Sequence, residues 1–227
     1  MLRLFDSAVA RNNDSTGTSP EPSGRDWRRG EEGGLASISE ALRRGYFPHQ
    51  LAWALDNRLR RLILSPEALA GRLPLTPASR VLEVGPGPGY FSRELAGRVP
   101  DGRLELLDLQ PEMIVKALAR FGPEPPSNVG ASAADACAGL PYDDAGFDIV
   151  LLVAVLGELP DRDAALRSFH RVLRPGGVLA VHEHWPDPDL IPLATLRPLV
   201  EAHGFAFVRS YGTPRNFTAL FEAIPRR

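Results

Sequence analysis

From Arg80 onward, short apolar runs alternate with segments whose apolar residues recur every three or four positions. Short apolar runs indicate buried strands, and the periodic segments indicate helices that pack through one face. Strands are predicted at 80–84, 103–108, 128–133, 147–153 and 178–183, with helices at 90–98, 111–121, 162–174 and 191–203. Two final apolar runs, 205–210 and 216–223, flank a Gly- and Pro-containing turn and predict a hairpin. The alternation favours an α/β fold with a mainly parallel sheet.

The first 74 residues do not follow this pattern and predict two further segments. Residues 1–34 are rich in Ser, Gly, Pro and charged side chains, which bury too little apolar surface to offset the entropy of ordering, so we predict a disordered tail. Residues 35–74 carry leucines at helical spacing, and Ser65-Pro66-Glu67 has the features of a helix start. This helical segment is predicted either to cap a ligand cleft or to pad the sheet. The main domain is then 75–227.

The first strand ends at a glycine-rich turn, Gly85-Pro86-Gly87-Pro88-Gly89, and a helix follows. This order directs backbone N–H groups and a positive helix end toward a ligand. Glu83 lies two residues before the turn, where its carboxylate can meet an ammonium group. Asp108 ends the second strand nineteen residues after Gly89, close to the spacing at which an acid binds ribose hydroxyls in dinucleotide folds. An ammonium and a ribose together fit S-adenosylmethionine (SAM).

A nicotinamide dinucleotide is the alternative ligand of such a turn. That ligand favours a third glycine three residues after Gly87, and position 90 is Tyr. The pattern therefore favours SAM. An NAD(P)-dependent oxidoreductase and a non-catalytic SAM-binding protein stay open as alternative functions.

Four ordered motifs resemble the class I SAM-dependent methyltransferases, in particular their ubiquinone/menaquinone-methylase-like (methyltransferase type 11) branch. They are the glycine turn from Glu83 to Phe91, Asp108-Leu109-Gln110-Pro111-Glu112-Met113, Leu140-Pro141-Tyr142 with Phe147-Asp148, and Val172-Leu173-Arg174-Pro175-Gly176-Gly177. The resemblance implies a Rossmann-like, seven-stranded α/β sheet of order 3-2-1-4-5-7-6 with strand 7 antiparallel. It also implies SAM as cofactor, S-adenosylhomocysteine (SAH) as product, and methyltransferase activity (EC 2.1.1.-).

The cofactor is expected at the carboxyl ends of the strands, where ligands of open α/β sheets bind. Gly85, Gly87 and Gly89 are expected to wrap the methionine portion of SAM. Glu83 is expected on or near its ammonium, and Asp108 on both ribose hydroxyls.

Leu109 and Met113 are expected to pack on the adenine, although Met113 also fits an ordinary core position. The resemblance places Asp135 at the adenine amino group, with Ala136 beside it; a turn-forming acid is the alternative for Asp135. Val153, at the tip of the fourth strand, is expected to line the transfer site.

Methyl transfer from an activated sulfonium depends mainly on orientation, and a base is needed only where the acceptor must lose a proton. The candidates are Glu158, after the fourth strand, and His182 and His184, with Glu183 between them, in the fifth. Strand alternation puts the two histidines on one face and Glu183 on the other. The His-x-His pair lacks further ligands at convincing spacing, so no metal is predicted.

The acceptor is expected to be a small molecule methylated at oxygen or carbon. The fourth strand lacks the Asn-Pro-Pro-Tyr or Asp-Pro-Pro-Tyr motif of the amino-methylating nucleic-acid enzymes, and a net charge of −2 gives no general attraction to nucleic acid. The single cysteine, Cys137, excludes an internal disulfide and suits a reducing compartment. With no signal-peptide pattern and no apolar run near the ~20 residues of a membrane span, a cytoplasmic location is predicted.

Overall fold

The computed structural model describes residues 64–225, so the predicted tail and most of the predicted helical cap lie outside the described residues. The strands are β1 (Arg80–Val84), β2 (Arg103–Asp108), β3 (Val129–Ala133), β4 (Phe147–Val153), β5 (Leu173–His184), β6 (Phe205–Thr213) and β7 (Asn216–Ala223). The helices are α1 (Pro66–Ala70), α2 (Ser92–Arg98), α3 (Pro111–Ala119), α4 (Arg162–Val172) and α5 (Leu193–Glu201), with a 3₁₀ turn at Leu156–Glu158.

The strands form one seven-stranded sheet in the order β3-β2-β1-β4-β5-β7-β6. Strands β1 to β5 pair in parallel, whereas β7 runs antiparallel to both β5 and β6. The predicted order and the antiparallel last strand are confirmed. Because β1 lies between β2 and β4, the strand order reverses there, and the carboxyl ends of these strands flank the crevice where such sheets bind ligands.

Helices cover both faces of the sheet. Leu82, Val150 and Leu179 belong to the apolar cluster that α4 and α5 cover, whereas their neighbours in sequence belong to the cluster under α1, α2 and α3. Burial on both faces explains why β4 is a continuous apolar run rather than an alternating one. The sheet is therefore a rigid platform whose strand tips carry the polar residues.

Helix α1 is the described part of the segment predicted as a cap. It begins as predicted: Pro66 is its first residue, and the Ser65 hydroxyl accepts a hydrogen bond from the Ala68 N–H at 3.1 Å. Leu69 and Ala70 are buried in the cluster that includes α2. This part of the segment pads the sheet layer, while 35–63 lie outside the described residues.

Several predicted boundaries shift where pairing between distant strands extends an element. Leu173 joins β5 instead of α4 because it pairs with Phe147 of β4. Strand β6 continues to Thr213, which pairs with Asn216, so only two residues form the hairpin turn. Gly212 permits this continuation, since a Cβ there would lie 2.2 Å from the Asn216 carbonyl oxygen. None of the helices within residues 64–225 combines the length and the hydropathy needed to cross a membrane.

Candidate active site

The glycine turn after β1 lies at the point where the strand order reverses. Gly85, Gly87 and Gly89 all have left-handed backbone conformations, with φ of 64°, 54° and 78°. Residues with a Cβ rarely adopt these conformations, so the glycines are needed for the path of the chain itself. The Gly85 N–H donates to the Leu107 carbonyl at 2.7 Å, which fixes the turn against the end of β2.

Protein atoms occupy the space beside two of these glycines. A Cβ at Gly85 would lie 2.5 Å from a methyl carbon of Val155, and one at Gly89 would lie 2.8 Å from the Cα of Ala117. The turn is therefore packed between the chain after β4 and helix α3. This packing holds it in place before any ligand binds.

Asp108 braces the same turn from the tip of β2. Its side chain is 8% exposed; one carboxylate oxygen accepts from the Gln110 N–H at 2.9 Å and the other from the Gly87 N–H at 3.3 Å. Burial raises the pKa of Asp108, and the backbone hydrogen bonds from Gln110, Gly87 and Leu109 partly oppose that increase. The carboxylate expected to bind the ribose is thus fixed in orientation beside the turn.

Glu83 lies on the face of β1 that α2 covers. It is 3% exposed, and one of its carboxylate oxygens accepts a hydrogen bond from the Ser92 hydroxyl at 2.7 Å. Because Ser92 is the first residue of α2, this bond joins the end of the strand to the start of the helix. Its expected contact with the methionine ammonium stays a prediction.

The side chains expected around the adenine differ in exposure. Leu109 is 40% exposed and presents apolar surface next to Asp108, whereas Met113 is 2% exposed. Asp135 caps its own turn by accepting from the Cys137 N–H at 2.8 Å, and Ala136 is buried in the core. Leu109 is therefore the apolar side chain of this set that a planar ring can reach directly.

The tip of β4 carries a backbone feature that sequence patterns do not reveal. Val153 is buried, and Ala154 directly after it has φ of 55°, in the left-handed region, while its N–H donates to the His182 carbonyl at 2.8 Å. For a residue other than glycine this conformation costs about 1–2 kcal/mol. Such strain concentrates at functional sites, and here it lies between the glycine turn and β5.

Glu158 ends the 3₁₀ turn after β4 and is partly buried. Burial raises its pKa from 4.5 to about 7, and the nearby carboxylates of Asp187, Asp189 and Asp108 add to the increase. The influence of Asp108 shows that Glu158 lies on the cofactor side of the strand tips. Of the three predicted catalytic candidates, Glu158 is within electrostatic range of Asp108, whereas His182 pairs with Val153 at the tip of β4.

Glu183 points to the same side of the sheet as Val181, away from the two histidines. It is 1% exposed, and one oxygen accepts from the Ile191 N–H at 3.4 Å. Burial raises its pKa to about 8; the Ile191 hydrogen bond opposes the increase, and Asp187 and Glu158 add to it. At neutral pH this carboxyl is therefore mostly protonated.

His182 and His184 lie on the opposite face of β5, which confirms the predicted alternation. Their rings stack with centroids 5.5 Å apart and planes at 26°. His182 is 1% exposed, and its Nδ1 lies 3.0 Å from the Thr218 hydroxyl on β7. His184 is only partly buried, at the end of the strand.

Sequence reasoning missed Asp187 and Asp189, which follow β5 in the stretch Trp185-Pro186-Asp187-Pro188-Asp189. The Asp187 N–H donates to the His184 carbonyl at 3.1 Å, so the loop turns back at the end of the strand. Loops that follow the carboxyl ends of parallel strands form the ligand crevice. The position of these two residues directly after a predicted parallel strand could therefore have identified them. Within residues 64–225, His, Cys, Asp and Glu form no group of three or more suited to a metal ion.

The site fits SAM on its own geometry: a left-handed glycine turn, a fixed carboxylate at the neighbouring strand tip and an exposed leucine beside it. The family model for a methyltransferase domain matches residues 81–177. Among solved structures, a SAM-dependent methyltransferase from Aquifex aeolicus superposes with a TM-score of 0.70 at 20% identity, covering 78% of this chain and 98% of that one.

Curated relatives agree with this match. The 27-O-demethylrifamycin SV methyltransferase of Amycolatopsis mediterranei is 34% identical over 63% of this chain and 50% of its own length. The ubiquinone/menaquinone biosynthesis C-methyltransferase UbiE of Shewanella oneidensis is 37% identical over 47% of this chain and 43% of its own. The chain thus spans about half the length of these relatives. The strand order, the glycine turn and these matches identify residues 81–177 as a methyltransferase domain with the class I SAM-dependent fold, which implies SAM as methyl donor and SAH as product.

Proposed function

We propose that this protein methylates an oxygen or carbon atom of a small molecule and that Glu158 is its general base. The observation that carries the proposal is the position of Glu158 in the 3₁₀ turn that follows the tip of β4, within electrostatic range of Asp108, together with its pKa of about 7. A base whose pKa lies near the working pH combines a usable ionised fraction with a strong affinity for the proton.

The glycine turn, Glu83 and Asp108 would hold the amino-acid and ribose portions of SAM, and Leu109 would cover its adenine. When bound, SAM supplies a methyl group on a positively charged sulfur, which a nucleophile can displace. Orientation by rigid strand tips then provides much of the rate enhancement. The Glu158 carboxylate takes the proton from the acceptor hydroxyl or acidic carbon.

The histidines are weaker choices for this role. His182 has 1% of its surface exposed and is engaged with Thr218 on the face of β5 opposite Glu183, so it has almost no surface with which to touch an acceptor. His184, at the strand end, is the second choice. The names of the relatives support a small-molecule acceptor methylated at oxygen or carbon, because they name 27-O-demethylrifamycin SV and a C-methylation in ubiquinone/menaquinone biosynthesis. Exclusion of nucleic acid and a cytoplasmic location stay predictions.

The test is calorimetric titration of the full chain with SAM, SAH and NAD(H), followed by transfer of labelled methyl groups to a panel of phenols, quinols and hydroxylated acids. We expect micromolar binding of SAM and SAH, no binding of NAD(H), and labelled product from at least one acceptor. Binding of NAD(H) alone would reinstate the oxidoreductase. Binding of SAM without any product across a broad panel would favour the non-catalytic SAM-binding protein.

A further inference from the structure

One face of the sheet changes from apolar to polar side chains at the carboxyl end of β5. On the face that α1, α2 and α3 cover, a row of paired residues is apolar and buried: Leu151, Ala180 and Leu220. The row two residues nearer the tip of β4 consists of Val153, His182, Thr218 and, on β6, Tyr211. Burying polar groups costs free energy unless they are hydrogen-bonded, so packing alone favours apolar side chains in this second row.

A chain of hydrogen bonds fixes His182 within this row. Arg72, just after α1, donates to the Thr218 hydroxyl at 2.9 Å, and that hydroxyl lies 3.0 Å from Nδ1 of His182. An arginine can only donate, so the hydroxyl oxygen accepts this bond and its own hydrogen is directed to Nδ1. The neutral ring of His182 therefore carries its hydrogen on Nε2, a tautomer that Arg72 and Thr218 select.

His182 in turn restricts the ring of His184. The two rings stack with centroids 5.5 Å apart and planes at 26°. His182 is 1% exposed and its partner Thr218 is fully buried, so the ring of His182 has little freedom to move. A side chain packed against a fixed ring is limited to few rotamers, which is how a binding group is pre-organised.

His184 lies beyond the tip of β4, on the face of the sheet that also carries Val153. Pairing of β4 with β5 ends at Val153 and His182, and His184 is two residues, or about 6–7 Å, further along β5. Ligands of such sheets bind beyond the carboxyl ends of the strands. His184 is only partly buried, so its ring keeps surface that a ligand can touch.

We propose that His184 holds the hydroxyl group of the methyl acceptor and that His182 is its positioning residue. Thr218 and Arg72 act through His182. This inference rests on the proposed function, in which Glu158 stays the general base, and it adds the side chain that binds the acceptor. An imidazole N–H donates to the acceptor oxygen and leaves the hydroxyl hydrogen for the Glu158 carboxylate. The acceptor class is then an alcohol or a phenol, because a hydroxyl offers both the lone pair and the hydrogen that these residues need.

Phenol and toluene test the role of His184, because one carries a hydroxyl where the other carries a methyl group. On the full chain saturated with SAH, calorimetry should give at least about fivefold tighter binding of phenol. His184→Phe keeps an aromatic ring beside His182 and removes both ring nitrogens, so it should abolish this preference and leave SAH binding unchanged.

His170→Phe is the matched control. That ring packs on Phe205 and its Nε2 lies 2.9 Å from the Ile224 carbonyl, at the end of the sheet opposite the strand tips. Replacing it also exchanges an imidazole for a benzene ring, but far from the proposed acceptor. The variant should therefore keep the preference for phenol.

Nitrogen NMR of the side chains tests the positioning role of His182. In weakly alkaline buffer, where an ordinary imidazole is neutral, the wild type should show His182 with its hydrogen on Nε2. The His182→Phe spectrum identifies the signals. Thr218→Ser keeps the hydroxyl and should preserve both this tautomer and the preference for phenol. Thr218→Val keeps the volume without the hydroxyl, and should give a mixture of tautomers and at least about a threefold loss of the preference.

Equal or absent binding of phenol and toluene, a preference that persists in His184→Phe, or its loss in His170→Phe would overturn the inference. So would a wild-type His182 with its hydrogen on Nδ1, or Thr218→Ser and Thr218→Val variants that behave alike. Should Thr218→Val fail to fold, the wild-type tautomer and His184→Phe decide the outcome. SAH binding without a preference for phenol rejects the role of His184 alone, whereas failure of SAH to bind rejects the proposed function beneath it.

Discussion

At the scale of single residues, Asp108 and Glu158 have different local environments, which suit these two acids to different roles. Asp108 is buried, but three backbone hydrogen bonds limit the increase in its pKa and favour its ionised form. For Glu158, burial and three neighbouring carboxylates all raise the pKa, to about 7. Asp108 is therefore suited to accept hydrogen bonds permanently, and Glu158 to exchange a proton.

Asp108→Ala should weaken SAM binding at least about tenfold, because a charge-assisted bidentate contact is worth ~1.5–3 kcal/mol. Calorimetric titration measures the loss. Glu112→Ala, which removes an exposed acid at the start of α3, is the control and should bind normally. A thermal melt of each variant verifies folding, since Asp108 also holds the glycine turn. Unchanged affinity for SAM in folded Asp108→Ala would contradict its assignment to the ribose.

The methylation rate should depend on pH through Glu158. The base must be ionised, so kcat/KM, which reports the free enzyme, should fall about tenfold per pH unit below pH ~7 and level off above it. Glu158→Gln should lower kcat by about 10²–10⁴ and abolish this limb of the profile. Glu124→Gln, which changes an exposed acid, should keep both the rate and the limb. A Glu158→Gln profile with the wild-type limb would show that another group titrates.

At the scale of elements, the glycine turn shows how packing and function combine. Its left-handed glycines let the chain leave β1, pass under Val155 and approach Ala117 of α3 at backbone contact distance. A ligand-binding turn held on two sides is pre-organised and loses little entropy on binding. The positions of the glycines are therefore set by packing within the protein as well as by the shape of the ligand.

Gly89→Ala should lower the free energy of unfolding by about 2–5 kcal/mol, the sum of left-handed strain and overpacking against Ala117. Urea denaturation measures the change. Gly97→Ala is a matched control: that glycine lies in α2 with no atom within 4 Å of the added Cβ, and the change should stabilise by about 0.5–1 kcal/mol. Equal stability of the two variants would contradict this prediction, because it would mean that α3 shifts to accommodate the added methyl group.

At the scale of the whole molecule, the Thr218 hydroxyl connects helices and strands that are distant in sequence. Arg72, just after α1, donates to the Thr218 hydroxyl of β7 at 2.9 Å, 146 residues away in sequence. Since Arg72 can only donate, the hydroxyl is free to donate its own hydrogen to Nδ1 of His182, 3.0 Å away. Thr218 thus connects α1, β5 and β7 on one face of the sheet.

Thr218→Val should lower the free energy of unfolding by about 1–3 kcal/mol, because two buried or partly buried polar groups lose the same partner while the volume is kept. Urea denaturation of the full chain gives the value. Thr195→Val, at an exposed position of α5, should change stability by no more than about 0.5 kcal/mol. A Thr218→Val variant as stable as the wild type would mean that water replaces the hydroxyl.

Local signals were sufficient for most of the framework. The bounds of β1, β2, β4 and β7 follow from their apolar runs, because burial on both faces leaves a signal within the segment itself. The ends of α4 and β6 could not be predicted in this way, since Leu173 and Thr213 are placed by partners on other strands. Asp108 and the glycine turn were recognisable because their spacing is set by one strand–turn–helix unit.

The sequence by itself therefore determined the α/β class, the cofactor turn and the acid at the tip of the second strand, since each depends on residues close together in the chain. Only the tertiary structure decided which candidates share a site. It brings Asp187 and Asp189 beside Glu158 by seating one loop on Gly157. Burial and the proximity of like charges, which raise the pKa of Glu158 to about 7, arise from contacts among elements remote in sequence.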